Sequence, residues 1–285
     1  MTPAPTNPIS NMLPQTTFSD MHGDELLAAA DRNLAATLLH FARVSPGAAS
    51  EFDGRLLLVS MSRAWPGPYH NGALRLDPSV APDEVLSRAR AFFADRCPGY
   101  CVWIAAHADT DLEKRALAEG YAQTSATGTP RMVIGHPLDA GRPPEGVVLE
   151  EVVDDSGRSD FLEVTVDAYR ESYLPREAVE AELATVDAVC APGVRAVVAR
   201  EGGRPVAAAM TVASDRLAGI QNVGTIFGER GRGLGELVTR WAVNAGFELG
   251  AEAVVLEASE QGEPLYLRMG FEEVSRYRWC LGPPP

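Results

Sequence analysis

The chain has 285 residues, 46% of them hydrophobic and 22% charged, so it is neither a disordered polyelectrolyte nor a fibre, and its length suits two domains better than one. With 25 basic and 39 acidic residues the net charge is −14, which argues against nucleic acid or an acidic membrane as a main partner. No run nears the roughly 18 apolar residues of a membrane span, and residues 1–15 lack the basic and apolar regions of a secretion signal, so a cytoplasmic protein is expected.

Residues 1–20, rich in Pro, Thr, Asn and Ser, read as a flexible tail. The spacing of Leu26, Leu27, Leu34, Leu38 and Leu39 predicts a helix over 24–42. A β-rich run from Gly54 leads into the turn-prone 66–72, followed by a helix over 82–94, a buried strand over 100–106, a helix over 112–119 stopped by Gly120, and a strand over 130–135. The glycines and paired prolines of 139–146 mark a linker, giving domains at 21–138 and 147–282. The second opens on a strand from Val147, then a helix over 159–173 carrying Tyr169 and Tyr173, and a shorter one over 176–185. A hairpin turning at Glu201-Gly202-Gly203 follows, then a strand over 217–227 and an amphipathic helix over 234–247. A strand over 251–258, a short helix closed by Gly270 and a final strand end the chain. Each half finishes as helix, glycine, aromatic, strand, at Gly120-Tyr121 and Gly270-Phe271, the pattern of a tandem duplication.

Residues 145–285 hold 13 basic and 24 acidic side chains, net −11, against net −3 over residues 1–144. Within this acidic half stands Arg230-Gly231-Arg232-Gly233-Leu234-Gly235, at the entry to the strongest amphipathic helix. Alternate glycines let a ligand approach the backbone, and amides at a helix N-terminus favour a phosphate or pyrophosphate. No lysine follows the loop, since Lys114 is the only one in the chain, so a mononucleotide phosphate loop does not fit. The glycine spacing and the preceding antiparallel strands do not match a dinucleotide fingerprint either. The first half has no such loop: DPSVAPDEV, residues 77–85, offers two prolines, three acids and no glycine. Cys97, Cys101, Cys190 and Cys280 have neither disulfide nor metal-site spacing, and no metal is expected.

Arg230, Gly233 and Gly235 resemble the Arg/Gln-x-x-Gly-x-Gly/Ala pyrophosphate loop of the GCN5-related N-acetyltransferase (GNAT) superfamily. The likeness continues into Leu265-Tyr266 and Gly270-Phe271 and covers roughly residues 146–280. It implies a mixed α/β fold of two tandem GNAT-like domains, each a mostly antiparallel sheet flanked by helices, the first degenerate. It also implies acetyl-CoA as co-substrate, held by Arg230, Gly231, Arg232, Gly233, Leu234 and Gly235, with Thr225-Ile226-Phe227 as the splayed segment whose backbone polarises the acyl carbonyl. Ser259 stands near the place of the family's cofactor-contacting asparagine, and Tyr266 in that of its catalytic tyrosine.

Direct acetyl transfer to a primary amine of a small molecule or peptide is therefore expected, with Tyr266 protonating the thiolate. The proton acceptor is less defined, because His22, His40, His70, His107 and His136 all precede the linker. A carboxylate such as Glu257, or a water held by backbone carbonyls, takes that role in this reading. The acidic second half favours a cationic acceptor. A non-catalytic acyl-CoA sensor, and an acyltransferase for an alcohol or thiol, are the alternatives. The chain is expected to act as a monomer or homodimer.

Overall fold

The computed structural model of the chain describes residues 23–61, 65–97, 99–172 and 174–282; the expected tail and Tyr173 lie outside them. The first half runs α1 (Gly23–Val44), β1 (Ala49–Phe52), β2 (Leu56–Ser60), β3 (Asn71–Arg75), α2 (Pro82–Phe93), β4 (Cys101–Ala105), α3 (Thr110–Ala118), β5 (Ala122–Gln123) and β6 (Thr129–Ile134). The second runs β7 (Val147–Glu151), α4 (Asp155–Tyr169), α5 (Arg176–Glu182), β8 (Val194–Glu201), β9 (Arg204–Ser214), β10 (Leu217–Thr225), α6 (Leu234–Glu248), β11 (Ala253–Glu257), α7 (Glu263–Arg268) and β12 (Glu272–Leu281). Local chemistry sets several of these limits. Pro82 opens α2, where a missing N–H is harmless, and the Asp154 carboxylate caps α4 by accepting from the Gly157 N–H at 2.9 Å.

The strands form one mixed, mostly antiparallel sheet in the order β1-β2-β3-β4-β12-β6-β11-β10-β9-β8-β7, with β5 beside β12. Among the described residues the parallel pairs are β3 with β4 and β10 with β11, each joined through one helix, α2 or α6. This repeated unit, and the mixed α/β layering it produces, bears out the tandem fold. The helix stops repeat too. Gly120 and Gly270 have φ of +84° and +94°, and the following aromatic N–H reaches back to Ala116 O or Tyr266 O.

The two repeats are consecutive in sequence and interleaved in space. β12 does not lie beside β11 of its own half; Tyr277 pairs with Ala105 of β4 on one side and Thr129 of β6 on the other. In exchange, β6 pairs with β11, Ile134 opposite Val254. Side chains follow the backbone: Cys280 packs with Leu56, Leu58 and Val102 in the first-half core, and Met132 and Ile134 pack with Leu237 and Val254 in the second. Helix α1 adds a third tie. Its Leu34, Leu38 and Phe41 share a core with Leu57 and Trp103 as well as Val164, Val198 and Met210, and its buried Asn33 amide donates to Val212 O at 3.1 Å and Ser214 Oγ at 2.9 Å.

Candidate active site

β10 and β11 pair only where Leu217–Gly219 faces Ala253–Val255, and beyond that point they part. On its other edge β10 stays with β9 but bulges between Gln221 and Gly224, where Asn222 takes φ +51°. The register then fixes which backbone groups face the gap. Ile226 N–H donates to Val206 O at 3.0 Å, and bonded and non-bonded pairs alternate along an antiparallel ladder. The neighbouring pair, Thr225 with Ala207, is thus the non-bonded kind, and the N–H of Thr225 turns away from β9 into the space β11 leaves. Phe227 N–H is held by the Asp167 carboxylate at 2.6 Å. Of the expected segment, Thr225 is the residue whose amide faces the gap.

The glycine loop opens α6 beside it. Gly231 and Gly233 have φ of +81° and +77°, and a Cβ on either would meet nothing within 4 Å, so the outer side of the loop is open. A Cβ on Gly235 would come within 3.4 Å of Thr225 Oγ1, which sets the first turn of α6 against the end of β10. The first-turn amides of a helix have no intrahelical acceptor, and none from Leu234 to Glu236 has a partner among the described residues. Unpaired amides, open space and a positive helix end together fit a phosphate group.

The arginines of the loop are already engaged. Arg230 donates to Glu171 at 2.9 Å and to Ala168 O at 2.8 Å. Arg232 grips Glu201 at 2.5 Å and also pairs with Glu229, which Arg204 holds from the other side. Three arginines thus offset Glu171, Glu201 and Glu229, and the amides supply the attraction for an anion. The corresponding turn of the first half is closed. Arg75, 3% exposed, is buried beneath it, bonded to Asp109 at 2.8 Å, Asp111 at 2.5 Å and Val80 O at 3.0 Å.

Tyr266 lies on α7 near the gap, 7% exposed, its ring edge-on to Phe271 with centroids 5.7 Å apart. A Cβ at Gly262 would stand 2.8 Å from this ring, so glycine there lets the tyrosine lie down on the turn. Its hydroxyl has no hydrogen-bond partner among the described residues. Burial, and next the nearby Tyr169, push its phenol above the ordinary value. Ser259 Oγ accepts from Gly262 N–H at 3.1 Å and so holds the same turn. Glu257 sits at the end of β11, bound through Oε1 by Arg131 Nε at 3.0 Å and Nη2 at 2.6 Å. Arg131, fully buried on β6 of the first half, also reaches Asp31 at 2.8 Å and lies 4.4 Å over the Tyr277 ring. The Glu257 carboxylate is thereby committed to a cross-half ion pair.

Tyr169, expected on the helix over 159–173, ends α4, and its hydroxyl donates to Val223 O of the bulge at 3.2 Å. Burial, then the charge of Glu182, raises the Tyr169 phenol to about 12. Tyr69 of the first half feels Glu257, Tyr169 and Glu182 together and packs edge-on to Trp103 at 5.0 Å. Phe92 and Phe93 belong to the first-half core. Glu182, which accepts from Asn222 Nδ2 at 2.7 Å, carried no signal, for a glutamate closing a short helix normally faces solvent.

Residues 159–271 match the sequence pattern described as the Acetyltransferase (GNAT) family. Among solved structures, a GCN5-related N-acetyltransferase from Kribbella flavida is 22% identical, with 90% of this chain and 96% of that one aligned at a TM-score of 0.67. A functionally unknown conserved protein from Staphylococcus epidermidis is 15% identical over 86% of this chain and 98% of its own, TM-score 0.60. A tandem GNAT protein from the clavulanic acid biosynthesis pathway is 15% identical over 93% of this chain and 98% of its own, TM-score 0.58. At these identities the likeness is one of fold. No curated protein matches.

Proposed function

We propose that this chain, whose residues 159–271 match the acetyltransferase (GNAT) family, transfers an acetyl group from acetyl-CoA directly to a primary amine of a small molecule or peptide. The observation that carries this reading is the parting of β10 from β11 after Gly219 and Val255, next to the open amides of the α6 loop. Acetyl-CoA supplies a thioester whose carbonyl carbon is open to an amine.

The residues have separable tasks. Amides from Gly231 to Gly235 hold phosphate at the helix end, with Arg230 and Arg232 shaping the loop. Thr225 N–H meets the negative charge that develops on the carbonyl oxygen, and a fixed backbone donor does so without reorganising. Tyr266, kept neutral by its burial, holds a proton for the leaving sulfur. Ser259 keeps α7, and hence Tyr266, at its angle. Glu257 reads as a positioning group: its ion pair with Arg131 ties the end of β11 to β6. The acidic second half favours an acceptor that arrives as a cation.

Calorimetry with acetyl-CoA, followed by a thiol-release assay on a set of primary amines, tests the proposal. Binding with turnover supports it. Binding without turnover on any amine, alcohol or thiol would make the protein an acyl-CoA sensor instead.

A further inference from the structure

His70 stands at the foot of β3 in the first half, 3% exposed, and Glu182 closes α5 in the second. The Nε2 atom of His70 is 3.1 Å from Glu182 Oε2, an ion-pair distance, yet the geometry makes no aligned hydrogen bond and Nε2 is left unsatisfied. The other carboxylate oxygen is fixed by Asn222 Nδ2 at 2.7 Å. Asn222 is itself the residue that bulges β10, beside the Val223 carbonyl taken by Tyr169. Nε2 and Oε2 therefore share a buried position alongside the stretch of β10 that has left β11.

Such a pair calls for a hydrogen that neither partner supplies in line. A buried acceptor without a donor is costly, and a carboxylate more so. A primary ammonium group brings positive charge and three donors and can serve both atoms at once. The second half has no histidine, so this imidazole is one the first half must provide.

Resting on the acyl-transfer reading, we propose that His70 and Glu182 seat the ammonium group of a primary-amine acceptor and that His70 Nε2 removes its proton. Glu182 attracts the cation and then stabilises the imidazolium. Tyr69 and Tyr169 both feel the charge of Glu182, and Tyr69 also feels Glu257 and Arg131. The last two neutralise each other, and the two phenols are held in their neutral form by burial. The atoms balance. The ammonium gives one proton to Nε2, and the freed nitrogen lone pair forms the C–N bond to the thioester carbonyl carbon. The C–S bond breaks with its electron pair on sulfur, which takes the proton of Tyr266. The second proton shed by nitrogen restores Tyr266, and the imidazolium releases the first to solvent.

The test uses the full chain, saturated with CoA for calorimetry and with acetyl-CoA for rates, and four probes: spermidine, tyramine, glycinamide and kanamycin. Glu182→Gln should weaken binding of the accepted amine at least about tenfold, with CoA affinity unchanged. His70→Gln should leave amine binding within about threefold but lower kcat by roughly 10² or more. Its rate should climb with pH through about pH 9, because only amine already deprotonated can react, where the parent protein levels off. Unchanged CoA affinity certifies the fold of each variant, and Glu182→Asp, which keeps the charge, should retain amine binding should Glu182→Gln fail to fold. Full amine affinity in Glu182→Gln, loss of it in Glu182→Asp, or a parental pH profile in His70→Gln overturns the proposal, as does a parent protein that binds acetyl-CoA and none of the four amines. A parent protein that fails to bind acetyl-CoA overturns the acyl-transfer reading itself.

Discussion

Valine substitutions at the two ends of α6 separate ligand contact from backbone strain. Gly233 has φ +77° and Gly250 φ +92°, and a Cβ at either position meets nothing within 4 Å. Valine at each therefore brings strain without a clash, about 2–3 kcal/mol for a β-branched residue held in the left-handed region. In a chain of this size that lowers the melting temperature by about 3–5 °C. The two sites differ in what lies outside them. Gly233 belongs to the open amide loop, whereas Gly250 follows the far end of the helix. If phosphate sits on the loop, the isopropyl group of Gly233→Val holds it away from the amides. Acetyl-CoA affinity measured by calorimetry should then fall at least about tenfold, roughly 1.4 kcal/mol, and Gly250→Val should leave it unchanged. Equal affinities in the two folded variants would refute the assignment of the loop.

Tyr266→Phe keeps the packing against Phe271 and removes only the hydroxyl, so turnover should fall by roughly 10² with CoA affinity intact, read by thiol release and calorimetry; a near-normal rate would make the tyrosine structural. Arg131→Met leaves Asp31 and Glu257 buried without their counter-charge, and urea unfolding should record a loss of about 3–5 kcal/mol. Stability should also fall in alkali. The unfolded chain releases the Tyr169 proton near pH 10, whereas the folded chain keeps it to about 12. Between those values the unfolded state binds fewer protons, so stability contributed below about pH 10 is lost as pH rises, at about 1.4 kcal/mol per unit for this group. Denaturant midpoints from pH 9 to 12 measure it, and a flat profile would contradict the buried phenol.

What was legible in the sequence was local. The loop at Gly231–Gly235 announces itself because alternate glycines before an amphipathic helix need no distant partner to be recognised, and the helix over 234–247 becomes α6 with one added residue. The stops at Gly120 and Gly270 were equally readable, since a left-handed cap is a property of a few consecutive residues. Pairing was not. The alternation within residues 272–281 identifies a strand and says nothing of its neighbours, so its position between β4 and β6 could not be read. Glu257 shows the same limit at the site: its place on a strand was clear, but its buried partner, Arg131, is 126 residues away. His70 and Glu182 are likewise far apart in the chain and meet only because the sheet and α1 bring the halves together.

This division explains why a half that lacks the glycine loop is retained in the working fold. Arg75 and its two aspartates fill the turn where the first half would have offered amides, so no anion site opens there. The same half nevertheless supplies β6 as the neighbour of β11, Arg131 as the counter-charge of Glu257, and His70 as the partner of Glu182. Removing it would expose the edge of β11 and strip β12 of both its partners, leaving three unpaired hydrogen-bonding edges beside the candidate site. The parting of β10 from β11 also depends on that arrangement, because β11 can diverge from β10 while its other edge remains paired with β6. The first half therefore pairs the far edge of β11 beside the gap, and strand exchange ties the two halves together in structure even though only one carries the glycine loop.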